Sequence, residues 1–398
     1  TTQGGSIVSA SPGTLLPLMD AKPALVGVST NFSREDHVHP VDTSRAPFDA
    51  MAYGGLQING GMEVSQENGT NVVSVPATST KYILDGWNVG SSGIQVTGWS
   101  QKTNGAAPGM NNALQGSPTT ANPSPAATDY CTIRQYIEGY RIKRLAWGTA
   151  NAQPITLSFW VVASRTGLHS GCVRNGGAID RGYIFTFTVN TAGAWEYKTV
   201  TIPGDTAGTW AIDNAIGMAI HFSVMSGTSN QGTPGVWGAV ILGATGTANC
   251  VATTADYFYL TGVTVLPGSE APSAARSPFV MRSYDQELQT CRRYFWQAPT
   301  GHSFAGYAAT GGAAFGVLTY PVQMRATPTL VFPSAVGAYI VVFGTTAAAS
   351  NVIPQIPTNP QPSPTSTGVQ FNLPAVLTTG QGVILLLSGA NINLDARL

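Results

Sequence analysis

The stretch "ITLSFWVVAS", residues 155–164, decides the fold class. Leu157, Phe159 and Val161 fall on one face, and Trp160 and Val162 on the other. That period of two is the signature of a β-strand. Moving outward, the same pattern returns. "YCTIRQYIEG" (130–139) alternates, and "RGYIFTFTVN" (181–190) puts Tyr183, Phe185 and Phe187 on one face. "EYKTVTIPG" (196–204) follows. "AIGMAIHFSV" (215–224) is apolar on both faces and reads as a central strand, and "DYFYLTGVTVLPG" (256–268) closes the set. Short strands at regular spacing with turns between them predict a β-sandwich, jelly-roll-like in plan.

Toward the N-terminus the pattern thins. "LQINGGMEVS" (56–65) is a hairpin candidate, with Gly60-Gly61 between Leu56, Ile58 and Met62, Val64. Residues 104–129 are rich in Gly, Pro, Asn and Ser, and read as a long loop that is functional or flexible. Residues 1–52 hold no lasting period and read as an extended arm. Toward the C-terminus, "PGSEAPSAARSP" (267–278) has the composition of a linker. "SYDQELQTCRRYFW" (283–296) is the one convincing helix. Ser283 and Gln286 give a capping-box pattern, and Leu288, Cys291 and Phe295 a buried stripe. Further strands follow, among them "GVLTYPVQM" (316–324), "GVQFNLPAV" (368–376) and "GVILLLSGANINLDARL" (382–398). The expected organisation is all-β: an arm over 1–52, a sandwich over 53–268, and a C-terminal β-domain over 269–398 introduced by a short helix at about 283–296.

Composition limits the function classes. Charged residues make up 10% of the 398, against the roughly 25% usual for globular proteins. Net charge is zero, which argues against a nucleic-acid partner. No apolar run reaches the length of a membrane span, so no membrane insertion is expected, and the first residues lack the plan of a secretory signal. The four cysteines are far apart and read as buried thiols. A low-charge surface fits a chain that hides much of itself in an oligomer.

No nucleophile, zinc-protease or phosphate-loop motif is present, and no enzyme is expected. His169 (in "RTGLHSG", a turn by pattern), His221 and His302 lack a legible orienting partner. Asp180, Asp205 and Asp213 sit in turn-like contexts, where Asp commonly bends the backbone. Aromatics are the better clue. Trp195 in "AGAWEY" and Trp210 in "GTWAID" lie beside loops, where a ring face can stack on a sugar; the alternative is that they plug the sandwich.

His37 and His39 in "SREDHVHP" (33–40) share one side of an extended chain. Two imidazoles cannot fill a metal shell, but three chains about an axis would supply six. That suits an octahedral ion, iron first, then zinc or nickel. The alternative is a hydrogen-bonded turn anchored by Asp36.

These segments together carry a likeness. "SREDHVHPVDTSRAP" (33–47) resembles a segment near the N-terminal part of tailed-bacteriophage fibre proteins. The strands between about 130 and 267 look like the sandwich module of phage tail and head fibres, which is similar in architecture to carbohydrate-binding modules. "SPFVMRSYDQELQTCRRYFWQ" (277–297) with the terminal "LDARL" looks like the fibre-tip domain that follows it. The resemblance implies a homotrimer on the virion surface, made in the host cytoplasm. It would be attached to other virion proteins by its arm and adhere to a host surface polysaccharide without cleaving it. A decoration fibre with no ligand is the alternative, and a depolymerase departs further, since no β-helix repeat is seen.

Overall fold

The computed structural model describes residues 55–398 apart from 240–241, 310–311, 333–337, 344–345, 350–353, 358–361, 374–376 and 389–390. The arm, with His37 and His39, lies outside the described residues.

The first part of the chain forms β1 (Val73–Val75), β2 (Ser79–Leu84), β3 (Trp87–Ser92), β4 (Val96–Thr103), β5 (Asn112–Thr120) and β6 (Tyr130–Glu138). The one-turn helix α1 (Gly139–Ile142) precedes β7 (Ile155–Ala163), β8 (Gly167–Asn175), β9 (Gly182–Val189), β10 (Glu196–Ile202) and β11 (Ile216–Ser226). Three two-residue strands, β12 (Gln231–Gly232), β13 (Trp237–Gly238) and β14 (Gly243–Ala244), lead to β15 (Phe258–Pro267). They build a six-stranded sheet, β1-β4-β5-β15-β7-β10, over a seven-stranded one, β13-β9-β8-β11-β6-β3-β2. The alternation of β7 works as expected. Ile155, Leu157, Phe159, Val161 and Ala163 enter the core shared with Phe185, Phe222 and Phe258. The chain is all-β, and β11, buried on both faces, is the central strand of its sheet.

Three local expectations fail for physical reasons. The segment 56–65 is not a hairpin. Asn59 takes a positive φ of 50°, its amide donates to the carbonyls of Val64 and Asp85, and its Oδ1 accepts from the N–H groups of Glu63 and Val64. One side chain thus does the work of a ladder. The segment lies along β15 instead, with Leu56 N–H donating to Val265 and Val263 N–H to Gly60. It takes up pairing beyond the bulge at Gly262, where β5 stops. Residues 104–129 contain all of β5, because its backbone finds partners in both β4 and β15 despite Gly116 and Pro118. His169 is not in a turn: it is a fully buried residue of β8, stacked on Phe187.

The second part begins with α2 (Tyr284–Arg292), shorter than the expected 283–296. The capping box does not form. The Ser283 hydroxyl turns to Asp285, leaving the helix start to its backbone. Phe295 is buried, but it opens a strand rather than closing the helix. Strands β16 (Phe295–Ala298), β17 (Ser303–Ala308), β18 (Ala313–Thr319), β19 (Thr329–Val331), β20 (Tyr339–Phe343), β21 (Thr346–Ala349), β22 (Ser366–Asn372), β23 (Gly382–Leu387) and β24 (Ile392–Asp395) follow. They form the sheets β16-β24-β19 and β21-β20-β23-β17-β18-β22, with a separate core around Tyr339, Phe371, Leu385 and Leu394.

A third, small core joins the two parts: Ile58 and Val64 from the first meet Cys291 and Tyr294 from the second. Polar contacts reinforce it. Glu138, at the end of β6, accepts two bonds from Arg293, at 2.6 and 3.0 Å, and one from the Tyr294 hydroxyl at 2.8 Å. The terminal "LDARL" has a role here. Arg397 forks onto Asp395 and stacks between Tyr82 and Phe295, while the Tyr82 hydroxyl donates to the carbonyl of Leu398.

Candidate functional site

The two tryptophans singled out from the sequence occupy different environments. Trp210 is 6% exposed and sits edge-on to Trp147, ring centroids 4.5 Å apart, with Trp237 5.7 Å away. Its indole N–H is spent on the carbonyl of Ala207. The three rings plug the core at one end of the sandwich, so Trp210 presents no open face to a sugar.

Trp195 is partly buried, immediately before β10. Tyr259 of β15 lies beside it, with ring centroids 6.4 Å apart, and Tyr257 lies 5.2 Å beyond Tyr259. Lys102 of β4 places its ammonium 5.7 Å from the centre of the Tyr259 ring. Tyr259 and Lys102 belong to the outer side of the six-stranded sheet, and Trp195 and Tyr257 directly precede its strands β10 and β15. Leu260 points into the core, so Tyr259 must point out. Register places Tyr259 opposite Gln115 on one side and Val162 on the other.

Two further aromatics of that face are contacted by the linker. Trp160 and Tyr197 face outward as well, but the segment after β15 lies across them. The Trp160 indole donates to the Ser277 hydroxyl at 3.0 Å, and the Tyr197 hydroxyl to the carbonyl of Pro272 at 2.8 Å. What the linker leaves open is the strip Trp195, Tyr259, Tyr257.

The loop that carries Trp195 is rigidly tied. Glu196 accepts from the backbone N–H groups of Asn190 and Thr191 at 2.8 and 2.7 Å, and from Lys198 at 2.6 Å. Burial alone would raise its pKa, but the Lys198 bond and those two N–H donors hold it down at about 2, so the carboxylate stays ionised and the loop stays closed. The Trp195 indole donates to the carbonyl of Gly105. Gly193 has a φ of 77°, and a Cβ there would sit 3.1 Å from the Tyr257 hydroxyl, so the turn both requires glycine and abuts the strip. A row of pre-positioned rings with phenol hydroxyls at the edge and one cation suits the apolar face and hydroxyls of a sugar chain. Tyr257 and Tyr259 were legible in "DYFYL" only as strand residues. Nothing local told which of the outward aromatics stays uncovered.

The three aspartates that the sequence sets in turn-like contexts have structural work. Asp205 is 1% exposed and held in a two-bond fork by Arg181 at 2.6 and 2.9 Å. Asp180 accepts from Asn175, and Asp213 caps the N–H of Ala215. All four cysteines are free and buried, and burial pushes the thiols of Cys131 and Cys250 up to about 12. Among the described residues no cluster of three or more His, Cys, Asp or Glu is placed to hold a metal ion.

No family model and no curated protein matches the chain. Among solved structures, a family 4 carbohydrate-binding module ("CBM4 structure and function") is 17% identical at a TM-score of 0.26, covering 52% of this chain and 97% of that one. A family 11 carbohydrate-binding module from Clostridium thermocellum, in complex with a β-1,3-1,4-mixed-linked tetrasaccharide, is 11% identical at 0.26, covering 49% and 98%. The enzymatically active domain of bacteriophage CBA120 tailspike protein 4 is 11% identical at 0.26, covering 60% of this chain and 24% of that one. At such scores the likeness fixes nothing about what this chain binds or does.

Proposed function

We propose that the chain is a fibre or spike protein of a tailed-phage particle that adheres to a host surface glycan without cleaving it. The observation that carries the reading is the open strip of Trp195, Tyr259 and Tyr257 with Lys102 beside it. Trp195 and Tyr257 stand at one end of the six-stranded sheet beside Tyr259 of its interior strand β15, while the linker lies across Trp160 and Tyr197. The fibre-like segments at 33–47 and 277–297 supply the virion context. The arm would attach the protein to other virion proteins, three chains would assemble about one axis, and His37 and His39 would share an axial metal ion. Binding without cleavage is favoured because, among the described residues, Asp205 is held by Arg181 and Glu196, next to Trp195, is held by Lys198 and two backbone N–H groups.

The test is adhesion of labelled protein to host cells and to their purified surface polysaccharide. Trp195→Ala and Tyr259→Ala should each weaken binding about tenfold or more, since losing one stacked ring costs roughly 1–3 kcal/mol. Unchanged adhesion in the double variant would remove the strip from the account. Absence of any cell binding by wild type would favour a decoration fibre, and release of reducing ends would mean an enzyme.

A further inference from the structure

The outer face of the seven-stranded sheet carries two buried arginines that the adhesion strip does not use. Arg134 of β6 stands in register between Asn88 of β3 and His221 of β11. Arg174 of β8 is one row along, opposite Ala219, and turns back so that its Nε donates to His221 Nε2 at 3.0 Å. The two residues are 9% and 8% exposed, and His221 is 2% exposed. Neither arginine makes an ion pair among the described residues. Their bonds go to neutral acceptors: Arg134 Nε to the Thr132 hydroxyl at 2.8 Å, and Arg174 Nη1 to the carbonyl of Asn175 at 2.9 Å. The planes lie near tyrosine rings, Arg134 over Tyr130 and Arg174 over Tyr136. Gly90 makes room for the Arg134 guanidinium, since a Cβ there would come 2.1 Å from its Cζ.

His221 does not relieve the charge. Burial, then Arg174 and Arg134, hold it well below the usual imidazole range, so it is neutral and serves as an acceptor. Its Nδ1 is buried with no partner. Burying one cation without a counter-ion is costly, and burying two side by side is more so. The chain has 19 acidic residues and places none here among those described. No bond within the described structure engages Arg134 Nη1 or Nη2, and neither is among the sealed, partnerless polar atoms, so the fork that matches an oxyanion is open to one from outside.

We infer that this row is a binding site for an oxyanion carried on a saccharide, the carboxylate of a uronic acid or the phosphate of a phosphosugar, with Arg134 as the fork and Arg174 as the second cation. The choice of a saccharide rests on the adhesion reading above; the choice of an anion rests on the two uncompensated guanidiniums alone.

The experiment is thermal melting and calorimetric titration of the full chain with three probes: a glucuronate-containing oligosaccharide, its carboxyl-reduced neutral counterpart, and glucose 6-phosphate. Wild type should be stabilised by one or both anionic probes and not by the neutral one, and which anion acts tells carboxylate from phosphate. Arg134→Lys keeps a cation but loses the fork, and should bind the active probe about tenfold or more weakly. Arg134→Met should lose the response while melting, ligand-free, no lower than wild type, because it removes an unpaired buried charge. Three results would overturn the site: no response of wild type to either anion, an equal response to the neutral sugar, or an Arg134→Met variant that is destabilised or misfolded without ligand. An anion response in a protein that adheres to no cell would sustain this site and sink the adhesion reading, and adhesion without an anion response would do the reverse.

Discussion

Phe295→Ala probes the joint between the two halves of the molecule. The ring is 2% exposed at the start of β16, and its carbonyl accepts from Gln66 of the first half at 2.7 Å. Arg397 lies 4.5 Å from its centroid and 4.2 Å from that of Tyr82, so the guanidinium is sandwiched between rings from both halves. Truncating a buried Phe to Ala costs about 3–5 kcal/mol, transfer and cavity together. Loss of one cation–π face adds roughly 0.5–1 kcal/mol, the low end because Tyr82 still holds the other face. The expected loss is about 4 kcal/mol, with Phe295→Leu intermediate. Urea titration at fixed protein concentration, read by far-ultraviolet circular dichroism, measures it. A cycle with Arg397→Met should show a coupling of about 0.5–1.5 kcal/mol. A loss under about 1 kcal/mol would refute the packing argument, and zero coupling would refute the sandwich of Arg397.

Other expectations follow from separate features. Burial raises the Asp85 carboxyl to about 6 against the bonds from Gln66 that lower it. A raised acid favours folding below its unfolded pKa and loses that contribution as pH rises through the folded value. Wild type should therefore lose about 2–3 kcal/mol relative to Asp85→Asn between pH 4 and 6, and parallel stability profiles would contradict this. Light scattering should give about three times the monomer mass; a stable monomer at micromolar concentration would end the trimer. Chelator-free trimer should carry about one metal ion by elemental analysis, removed by His37→Ala or His39→Ala and lost as pH falls below about 6. A metal-free wild-type trimer would leave the hydrogen-bonded turn around Asp36 as the better account.

Much of the fold was legible because its signals are local. Alternation in "ITLSFWVVAS" and the two apolar faces of "AIGMAIHFSV" follow from a side-chain period of two in a strand, whatever lies across the sheet. The errors arose where a long-range partner outweighed the local pattern. β5 exists because β4 and β15 flank it, and Asn59 replaces a hairpin because it finds carbonyls at Val64 and Asp85. Phe295 leaves the helix because β24 offers it a ladder.

The candidate sites divide the same way. From the residues alone followed an all-β chain, low in charge, with seven of its eight tryptophans within 53–268 and Trp195 beside a loop. Long-range packing alone makes Trp210 a core plug, lays the segment holding Ser277 over Trp160 while leaving Tyr259 open, and sets Arg134 opposite the histidine that Arg174 bonds. Strand pairing brings together residues dozens of positions apart, and a later segment decides which of them water still reaches. Neither relation is written in the spacing of neighbours along the chain.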